Sequence, residues 1–336
     1  MAQIEETRSY QIFLDALKSD ATKSNYIYWL NKYLEWKKSK NHDELLKDTP
    51  DKIQTDIEDY IRYMKNENKS KGSIKITIYA LFHFFSMNRV ILNERIIKKL
   101  LPEEDAKSRK TYSTEDVKKI IEAINISKIK KHKKWFFRKP RAKALILFFA
   151  SSGVRLGSIP DIKIGHLEKI QDCYCVKIYA ETRYEYLTFL TPEASYALDQ
   201  YLKTRENLKD EDSLFQMNYD QIRKLIARLI IKAKIVSLNK ITNPRAYNRK
   251  TNNWDLTQTR MFLDIPMIHG FRSRYNTIMK NDNTINKSAI EVMMGHTRKI
   301  KLDANYYIPT KNDLFLEFSK GIEALTVYRD FAKVVV

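Results

Sequence analysis

Apolar residues recur at helical spacing through most of the first hundred positions. The set that begins at Tyr26 follows i, i+3, i+4, i+7 and i+8, and similar sets begin at Ile57 and Ile74. This spacing places the apolar side chains on one face of a helix. Thr22 precedes the first set and is predicted to be its N-cap. The pattern predicts a small all-α bundle over residues 1–102.

A second domain is predicted after a short linker. Residues 103–112 are polar, lack periodicity and follow a proline, so we assign them to the linker. Ser113 and Asp116 then form a variant of the capping box, which predicts a new helix. The domain is predicted to span residues 113–320. The remaining residues, 321–336, form an amphipathic tail that could dock on a neighbouring subunit or pack on its own domain.

The second domain combines helices with a little β-structure. A buried helix is predicted to end at Gly153. Residues 173–179 and 185–190 alternate in polarity, which predicts an antiparallel hairpin. A polar segment, 243–260, interrupts the later helices. The predicted fold class is mainly α with a small antiparallel β-sheet: an all-α N-terminal bundle and a mixed α/β second domain.

Charge separates the two domains. The chain has 336 residues and a formal net charge of +20. Residues 1–105 carry 18 Lys/Arg and 17 Asp/Glu, whereas residues 106–336 carry 43 and 24. A basic field of this size attracts nucleic acid. Residues 128–143 contain nine of these cations with Trp135 and two phenylalanines among them, and we expect them to contact phosphate; a solvated basic loop is the alternative.

Several classes of protein are excluded by composition. No apolar run approaches the ~18 residues of a membrane span, and the N-terminus lacks the apolar core of a secretion signal. The chain has two cysteines, Cys173 and Cys175, too few for a disulfide framework or for a zinc site made of cysteines alone. We expect them to fill the core from one face of a strand. No glycine-rich nucleotide loop occurs. We therefore expect a soluble, cytoplasmic protein with no membrane partner and no small-molecule substrate.

Three short segments of the basic domain share a set of reactive residue types. Arg155 follows a predicted helix end, His269 and Arg272 lie three apart, and His296 is followed by the pair Tyr306-Tyr307. Arginine forks can clamp the oxygens of a phosphodiester and neutralise its developing charge. A histidine can move a proton near neutral pH, and a phenol can attack phosphorus. This set suits transesterification of a phosphodiester without a metal or other cofactor.

The motifs resemble those of the tyrosine recombinase (phage-integrase, lambda-integrase-like) family. SSGVRLGSI resembles the turn that holds the first family arginine, HGFR matches HxxR, and GH precedes the tyrosine pair. SDATKSNYIYWLNKYLEWKK resembles the first helix of the family's SAM-like core-binding domain, and TYSTEDVKKIIEAI that of its catalytic domain. The glycine-poor, lysine-rich style suits an archaeal or mobile-element member.

The resemblance implies a function and a set of partners. Residues 1–102 would be the core-binding DNA-binding domain and residues 113–320 the catalytic domain. The protein would be a site-specific recombinase or integrase that acts on double-stranded DNA as a synaptic homotetramer, associated with the nucleoid. Arg155, His269, Arg272 and His296 would act on the phosphate, and the tyrosine would form a 3′-phosphotyrosyl intermediate.

The nucleophile is one of two adjacent tyrosines. Tyr306 and Tyr307 lie 10 and 11 residues after His296, where the family norm is nearer nine. Tyr307 is followed by Ile308-Pro309, which fits the family frame better than a second tyrosine. The resemblance therefore favours Tyr307.

Two positions depart from the family pattern. Ser158 stands where an acidic residue usually supports the first arginine, with Asp161 one turn further on. Glu181 stands where the family carries a hairpin lysine that protonates the leaving oxygen. Arg183 and Lys177 are its nearest cationic neighbours, although an arginine with a pKa above ~12 is a poor proton donor.

Other functions are compatible with the same residues. A type IB topoisomerase uses the same chemistry, and a DNA-binding protein with a decayed site could carry the two departures.

Glycine content adds one observation. Four of the seven glycines, 153, 157, 270 and 295, lie within two residues of a proposed catalytic side chain. We expect the backbone to come close to a phosphate there.

Overall fold

The chain, in a computed structural model, divides into two compact units, residues 1–107 and 108–336. The structure describes residues 7–102, 110–125, 138–235, 238–242, 246–248, 253–255, 259–263, 265–296 and 307–328. These residues are mainly helical with small antiparallel sheets, so the predicted fold class is confirmed. None of the helices within these ranges has the length and apolarity to cross a membrane.

The described part of the first unit is a bundle of helices. They are α1 Arg8–Asp15, α2 Asp20–Lys37, α3 Pro50–Asn66, α4 Lys71–Met87 and α5 Glu94–Lys99. Side-chain oxygens of Thr49, Ser70 and Asn93 cap the last three by accepting a backbone N–H from the first turn. The prediction of Thr22 as the N-cap of α2 was wrong, because the helix begins at Asp20 and its N-cap position is Ser19. The predicted apolar faces are confirmed, with Leu30, Ile57 and Ile74 completely buried.

His42 is a buried polar residue of this unit. The side chain, 1% exposed, stacks on Tyr10 with 4.3 Å between the ring centroids. Nε2 lies 3.1 Å from Oδ1 of Asn31 and donates to that amide oxygen. Nδ1 has no hydrogen-bond partner within the described part of the chain. A second ring proton would therefore have no acceptor, and burial lowers the pKa of His42 to about 4.

This pKa predicts acid sensitivity of the first unit. The unfolded chain binds a proton near pH 6.5 and the folded chain near pH 4, so stability falls as pH drops between those values. Between pH 7 and pH 5 we expect the free energy of unfolding to fall by ~2 kcal/mol. Urea titrations followed by tryptophan fluorescence measure it. His42→Phe removes the titrating ring and should flatten the pH dependence; the same slope in this variant would contradict the assignment.

The second unit contains the remaining elements. Its helices are α6 Thr114–Asn125, α7 Arg138–Ser152, α8 Pro192–Leu202, α9 Tyr219–Lys232, α10 His269–Asn281, α11 Lys287–Met293, α12 Lys311–Ser319 and α13 Ile322–Leu325. Its strands are β1 Leu167–Ile170, β2 Cys173–Ile178, β3 Tyr186–Leu190, β4 Leu238–Thr242, β5 Ala246–Asn248, β6 Asn253–Asp255 and β7 Thr259–Leu263. The predicted capping box is confirmed: Asp116 N donates to Ser113 Oγ at 3.1 Å, and Ser113 N donates to Asp116 Oδ2 at 2.9 Å.

The hairpin prediction is confirmed and extended. β2 pairs with β3 in antiparallel register, and β1, which was not predicted, adds a third strand beside β2. The later polar segment is not a plain interruption between helices. It contains the antiparallel pair of β5 with β6, and the strands of a second antiparallel pair, β4 and β7, lie at its two ends.

The three-stranded sheet lies between two apolar clusters. Val176 and Ile178 of β2 face a cluster built with α6 to α9. Cys173 and Cys175 face a second cluster built with α10 to α13. Successive side chains of a strand point to opposite faces, so both faces of β2 are buried. The prediction that the cysteines fill the core is confirmed, since each is 2% exposed and neither forms a disulfide.

The first half of the predicted tail packs on its own unit. The backbone N–H groups of Val327 and Tyr328 donate to the buried carboxylate of Glu193, at 2.8 and 3.2 Å. The carbonyl of Leu325 accepts from Arg274 at 3.1 Å. Residues 329–336, to which docking on a neighbour was also assigned, lie outside the described residues.

Candidate functional site: two arginines and a histidine at one cleft

The end of α7 sets the position of Arg155. Gly153 has φ of 60°, a left-handed conformation that glycine adopts without strain. A Cβ at this position would lie 2.8 Å from the ring of Tyr275. The chain then turns, and Arg155 leads into a 3₁₀ turn over Leu156–Asp161. Ser158 donates its hydroxyl to the carbonyl of Arg155 at 2.8 Å, so this side chain stabilises the backbone of the turn.

The end of α11 sets the position of His296. Gly295 has φ of 59°; its N–H donates to the carbonyl of Val292 at 2.9 Å, and the N–H of His296 donates to that of Glu291 at 3.0 Å. These two bonds are the Schellman motif, in which glycine ends a helix. A Cβ on Gly295 would collide with the ring of Tyr186. The Gly-His pair is thus a helix ending that aims the histidine.

Both glycines owe their identity to packing and backbone conformation. A Cβ added at Gly153 or at Gly295 would meet a tyrosine ring, which is a reason for glycine that is independent of the expected approach of the backbone to a phosphate. Gly270 is similar, because a Cβ there would lie 2.6 Å from Ile265 and from Tyr112. A Cβ on Gly157, by contrast, would meet nothing within 4 Å.

Arg272 joins the two helix endings. It projects from α10 and is 4% exposed. Nη1 donates to the carbonyl of Gly153 at 2.7 Å, and Nη2 donates to that of Met294 at 2.7 Å. Arg155 makes a parallel connection, since Nη1 donates to the carbonyl of Gly295 at 3.0 Å. Three distant segments of the chain therefore meet through two guanidinium groups.

The two arginines also interact electrostatically. Burial lowers the pKa of Arg272, and the positive charge of Arg155 lowers it further. The group stays cationic because an arginine pKa begins above ~12. Tyr186 lies beside both guanidinium groups, and burial raises the pKa of this phenol. Paired cations with little acidic compensation favour an anion that can receive both forks.

His296 is held by a carboxylate. Nδ1 lies 2.6 Å from Oε2 of Glu291, and the other oxygen of Glu291 forms an ion pair with Lys280. Burial lowers the pKa of His296, and Arg272 and Arg155 lower it further, while Glu291 opposes them. The net direction is downward, which makes the neutral ring the main form at pH 7.

Arg155 and His296 border a surface cleft of about 570 Å³, and Arg272 lies buried next to the helix endings that carry them. The cleft is lined by Arg155, Tyr179, Arg183, Tyr184, Glu185, Tyr186, Val292, Gly295 and His296. The loop between β2 and β3 supplies one wall, on which the guanidinium of Arg183 stacks over Tyr184 at 4.7 Å. Lys177, the other candidate cation of the hairpin, is exposed on β2 and does not line the cleft.

The remaining candidates lie elsewhere. His269 is exposed at the first position of α10, and Tyr307 is half-buried against the second apolar cluster just before α12. Neither residue is part of the cleft lining. Tyr306 and residues 128–137 of the basic segment lie outside the described residues.

Sequence reasoning missed Glu291 and Tyr186. A signal for Glu291 was present: it lies five residues before His296, and these are the first and last positions of a Schellman motif, which normally contact each other. Tyr186 had no such signal, because only the folded sheet brings β3 against the end of α11.

Comparisons show the fold. No protein-family model matches the sequence, and no curated protein matches it. Among solved structures, a XerH site-specific recombinase bound to difH substrate is 16% identical, with a TM-score of 0.55 over 86% of this chain and 80% of that one. A lambda integrase dimer bound to a COC′ core site is 13% identical (TM-score 0.56; 89% and 74%). The Tn1549 transposon integrase in complex with transposon right end DNA is 12% identical (TM-score 0.54; 92% and 96%). The chain shares its fold with these recombinases and integrases; the comparisons do not support an archaeal source.

Proposed function

We propose that this protein is a site-specific DNA recombinase or integrase that cuts and rejoins DNA through a 3′-phosphotyrosyl intermediate without a metal. One observation carries the proposal: Arg155, Arg272 and His296 come together beside one cleft, which Arg155 and His296 line and next to which Arg272 is buried. They do so within a fold shared with recombinases and integrases whose structures contain DNA. The net positive charge of the same unit favours a polyanionic partner.

The arginines would bind the scissile phosphate. Each already donates to backbone carbonyls, and a guanidinium has five N–H groups in a planar fork. The donors that remain can bond to non-bridging phosphate oxygens. Negative charge increases on these oxygens in the pentavalent state, so fixed cations lower its free energy most.

The tyrosine would supply the new bond. The phenol oxygen of Tyr307 attacks phosphorus, a P–O(Tyr) bond forms, and the P–O5′ bond breaks. The phenol proton passes to a base, and the leaving 5′-oxygen receives a proton. His269 and His296 are the proposed proton-handling groups. The ester conserves the energy of the original bond, so a second 5′-hydroxyl can reverse the step with a new partner strand.

Recombination between two duplexes needs several copies of the chain. A lambda integrase tetramer bound to a Holliday junction has a TM-score of 0.51 to this chain at 14% identity. By analogy with it, we propose that four copies assemble on two double-stranded DNA sites. In this scheme residues 1–102 would be the core-binding domain, and residues 113–320 the catalytic domain.

A DNA-binding protein with a decayed site is the second candidate. It is favoured by Ser158, whose hydroxyl turns back onto its own backbone and leaves Arg155 without an acidic partner at that position. Glu181, in the place of the family lysine, points the same way. Both candidates bind DNA, and only the first forms a covalent bond to it.

A covalent-capture experiment separates the two. The full chain is incubated with nicked duplexes drawn from the DNA that flanks its own gene, and the products are resolved in SDS. We expect an SDS-stable adduct whose yield falls steeply with salt, since phosphate contacts release counterions. Salt-sensitive binding without any adduct would overturn the recombinase proposal in favour of the second candidate.

A further inference from the structure

We propose that Glu291 is a positioning residue that fixes the orientation and tautomer of His296, so that Nε2 is the nitrogen offered to the cleft. This inference rests on the proposed function for its catalytic consequence. Its structural half concerns the free protein alone. It is carried by the contacts that Glu291 makes at the end of α11.

Glu291 contacts His296 through its backbone and through its side chain. Its backbone carbonyl accepts the N–H of His296 at 3.0 Å, and its side-chain Oε2 lies 2.6 Å from Nδ1 of the same residue. In a Schellman motif these two positions commonly make an apolar contact. Here the contact is a charged hydrogen bond. One residue thus fixes both the Cα position and the ring plane of His296.

The carboxylate also selects the tautomer. An ionised carboxylate only accepts hydrogen bonds, so Nδ1 must carry a proton to bond with it. The other ring nitrogen, Nε2, is then free of the α11 contact and can accept a proton when neutral or donate one when charged. His296 lines the cleft, so this nitrogen is the one available to a bound group there.

Lys280 favours the ionised form of the Glu291 carboxylate. It forms an ion pair with Oε1 of Glu291 across the gap from α10 to α11. The hydrogen bonds from Lys280 and His296 lower the pKa of Glu291 against the opposing effect of burial. Each carboxylate oxygen therefore has one partner, and the group stays ionised near neutral pH.

The charges around His296 are otherwise mostly positive. Arg272 faces it from α10 and Arg155 from the turn after α7, and both disfavour the imidazolium. Across the cleft the hairpin adds Arg183 and Glu185. Glu291 is the carboxylate in direct contact with the ring. Removing its charge should make His296 harder to protonate.

Nitrogen NMR of the imidazole tests the structural half directly. In free protein labelled with ¹⁵N-histidine, we expect the neutral ring of His296 to carry its proton on Nδ1. In Glu291→Ala it should revert to the Nε2–H tautomer that free histidine prefers, and its titration should move to lower pH. Glu211→Gln is the matched control, because Glu211 also pairs with a lysine, Lys163, at 2.5 Å and lies outside α10 and α11. An unchanged tautomer and titration in Glu291→Ala would overturn the proposal.

Adduct formation tests the catalytic half. We expect Glu291→Ala and Glu291→Gln to slow single-turnover adduct formation about 10–100-fold, the range found for carboxylates that orient metal-bound histidines. The pH limb assigned to His296 should shift to lower pH in Glu291→Gln. DNA affinity should stay unchanged, and Glu291→Asp should recover part of the rate. A wild-type rate and pH profile in Glu291→Gln and Glu291→Ala would refute the positioning role.

The two proposals fail in different ways. If the wild-type chain forms no adduct with any duplex, the proposed function fails while the NMR result still decides the Glu291–His296 bond. If the wild-type chain forms an adduct and the Glu291 variants match it, the positioning role fails while the recombinase function stands.

Discussion

Replacing Tyr307 by phenylalanine is expected to abolish the covalent adduct, a loss of at least ~10³-fold in single-turnover yield. The phenol oxygen is the only atom of this side chain that can bond to phosphorus, and phenylalanine lacks it. The ring itself is half-buried against the apolar cluster beside β2. Phenylalanine keeps that packing, so fold and DNA binding should survive.

Tyr306→Phe is the matched control for this experiment. The two tyrosines are neighbours in sequence, so the pair separates the nucleophile from a general effect of losing a phenol. We expect Tyr306→Phe to retain the adduct, and peptide mapping of the wild-type adduct to place DNA on Tyr307. Loss of the adduct in Tyr306→Phe alone would reverse the assignment.

The second large effect is expected at Arg272. Arg272→Lys keeps one positive charge but loses the planar fork that connects the carbonyls of Gly153 and Met294. We expect adduct formation to slow by about 10²–10³-fold, in the range seen when one fixed donor to a developing oxyanion is removed. A buried carbonyl left without a donor should also lower the free energy of unfolding by ~1–3 kcal/mol.

Arg274→Lys separates these two consequences. Arg274 lies two positions further along α10 and is 1% exposed. It donates to the carbonyls of Ala150 and Leu325 and to Thr114, away from the cleft lining. We expect a similar loss of thermal stability with less than about fivefold change in rate at temperatures where both variants are folded. Equal rate losses in the two variants would show that Arg272 acts through the fold.

The sequence predicted elements whose signals are local. The end of α7 at Gly153, the capping box of Ser113 and the hairpin of β2 and β3 each depend on a few adjacent residues. Turn and cap chemistry is decided over such short distances, so a single sequence contains it. The strands β4 to β7 were missed because they are short and lie in or next to a polar segment, where alternation carries little information.

Candidate residues could be chosen from sequence, but their arrangement could not. The motifs identified Arg155, Arg272 and His296, and the structure brings these three to one place. Spacing along the chain does not indicate that the guanidinium of Arg272 donates to a backbone carbonyl 119 residues away. Nor does spacing indicate that Tyr186 reaches the site from β3. Tertiary packing decides both.

For two of the glycines near the candidate residues, the structure adds a reason that local pattern could not show. A left-handed φ and a tyrosine ring explain Gly153 and Gly295 without reference to a phosphate. Local pattern can mark a residue as special, while the physical cause comes from neighbours distant in sequence. Ser158 is the opposite case, because its departure from the family pattern has a local outcome, a hydrogen bond within its own turn.

The carbonyl contacts of the arginines have a consequence for biosynthesis. Arg272 donates to the carbonyl of Met294 and Arg155 to that of Gly295, and the bond from Arg155 to Gly295 spans 140 residues. A ribosome that has released only the first 290 residues has produced both guanidinium groups but neither of these acceptors. Such long-range contacts form late, as loop closure delays them. Under the proposed function, the arrangement of the two arginines would therefore be completed only after residue 295 has left the ribosome.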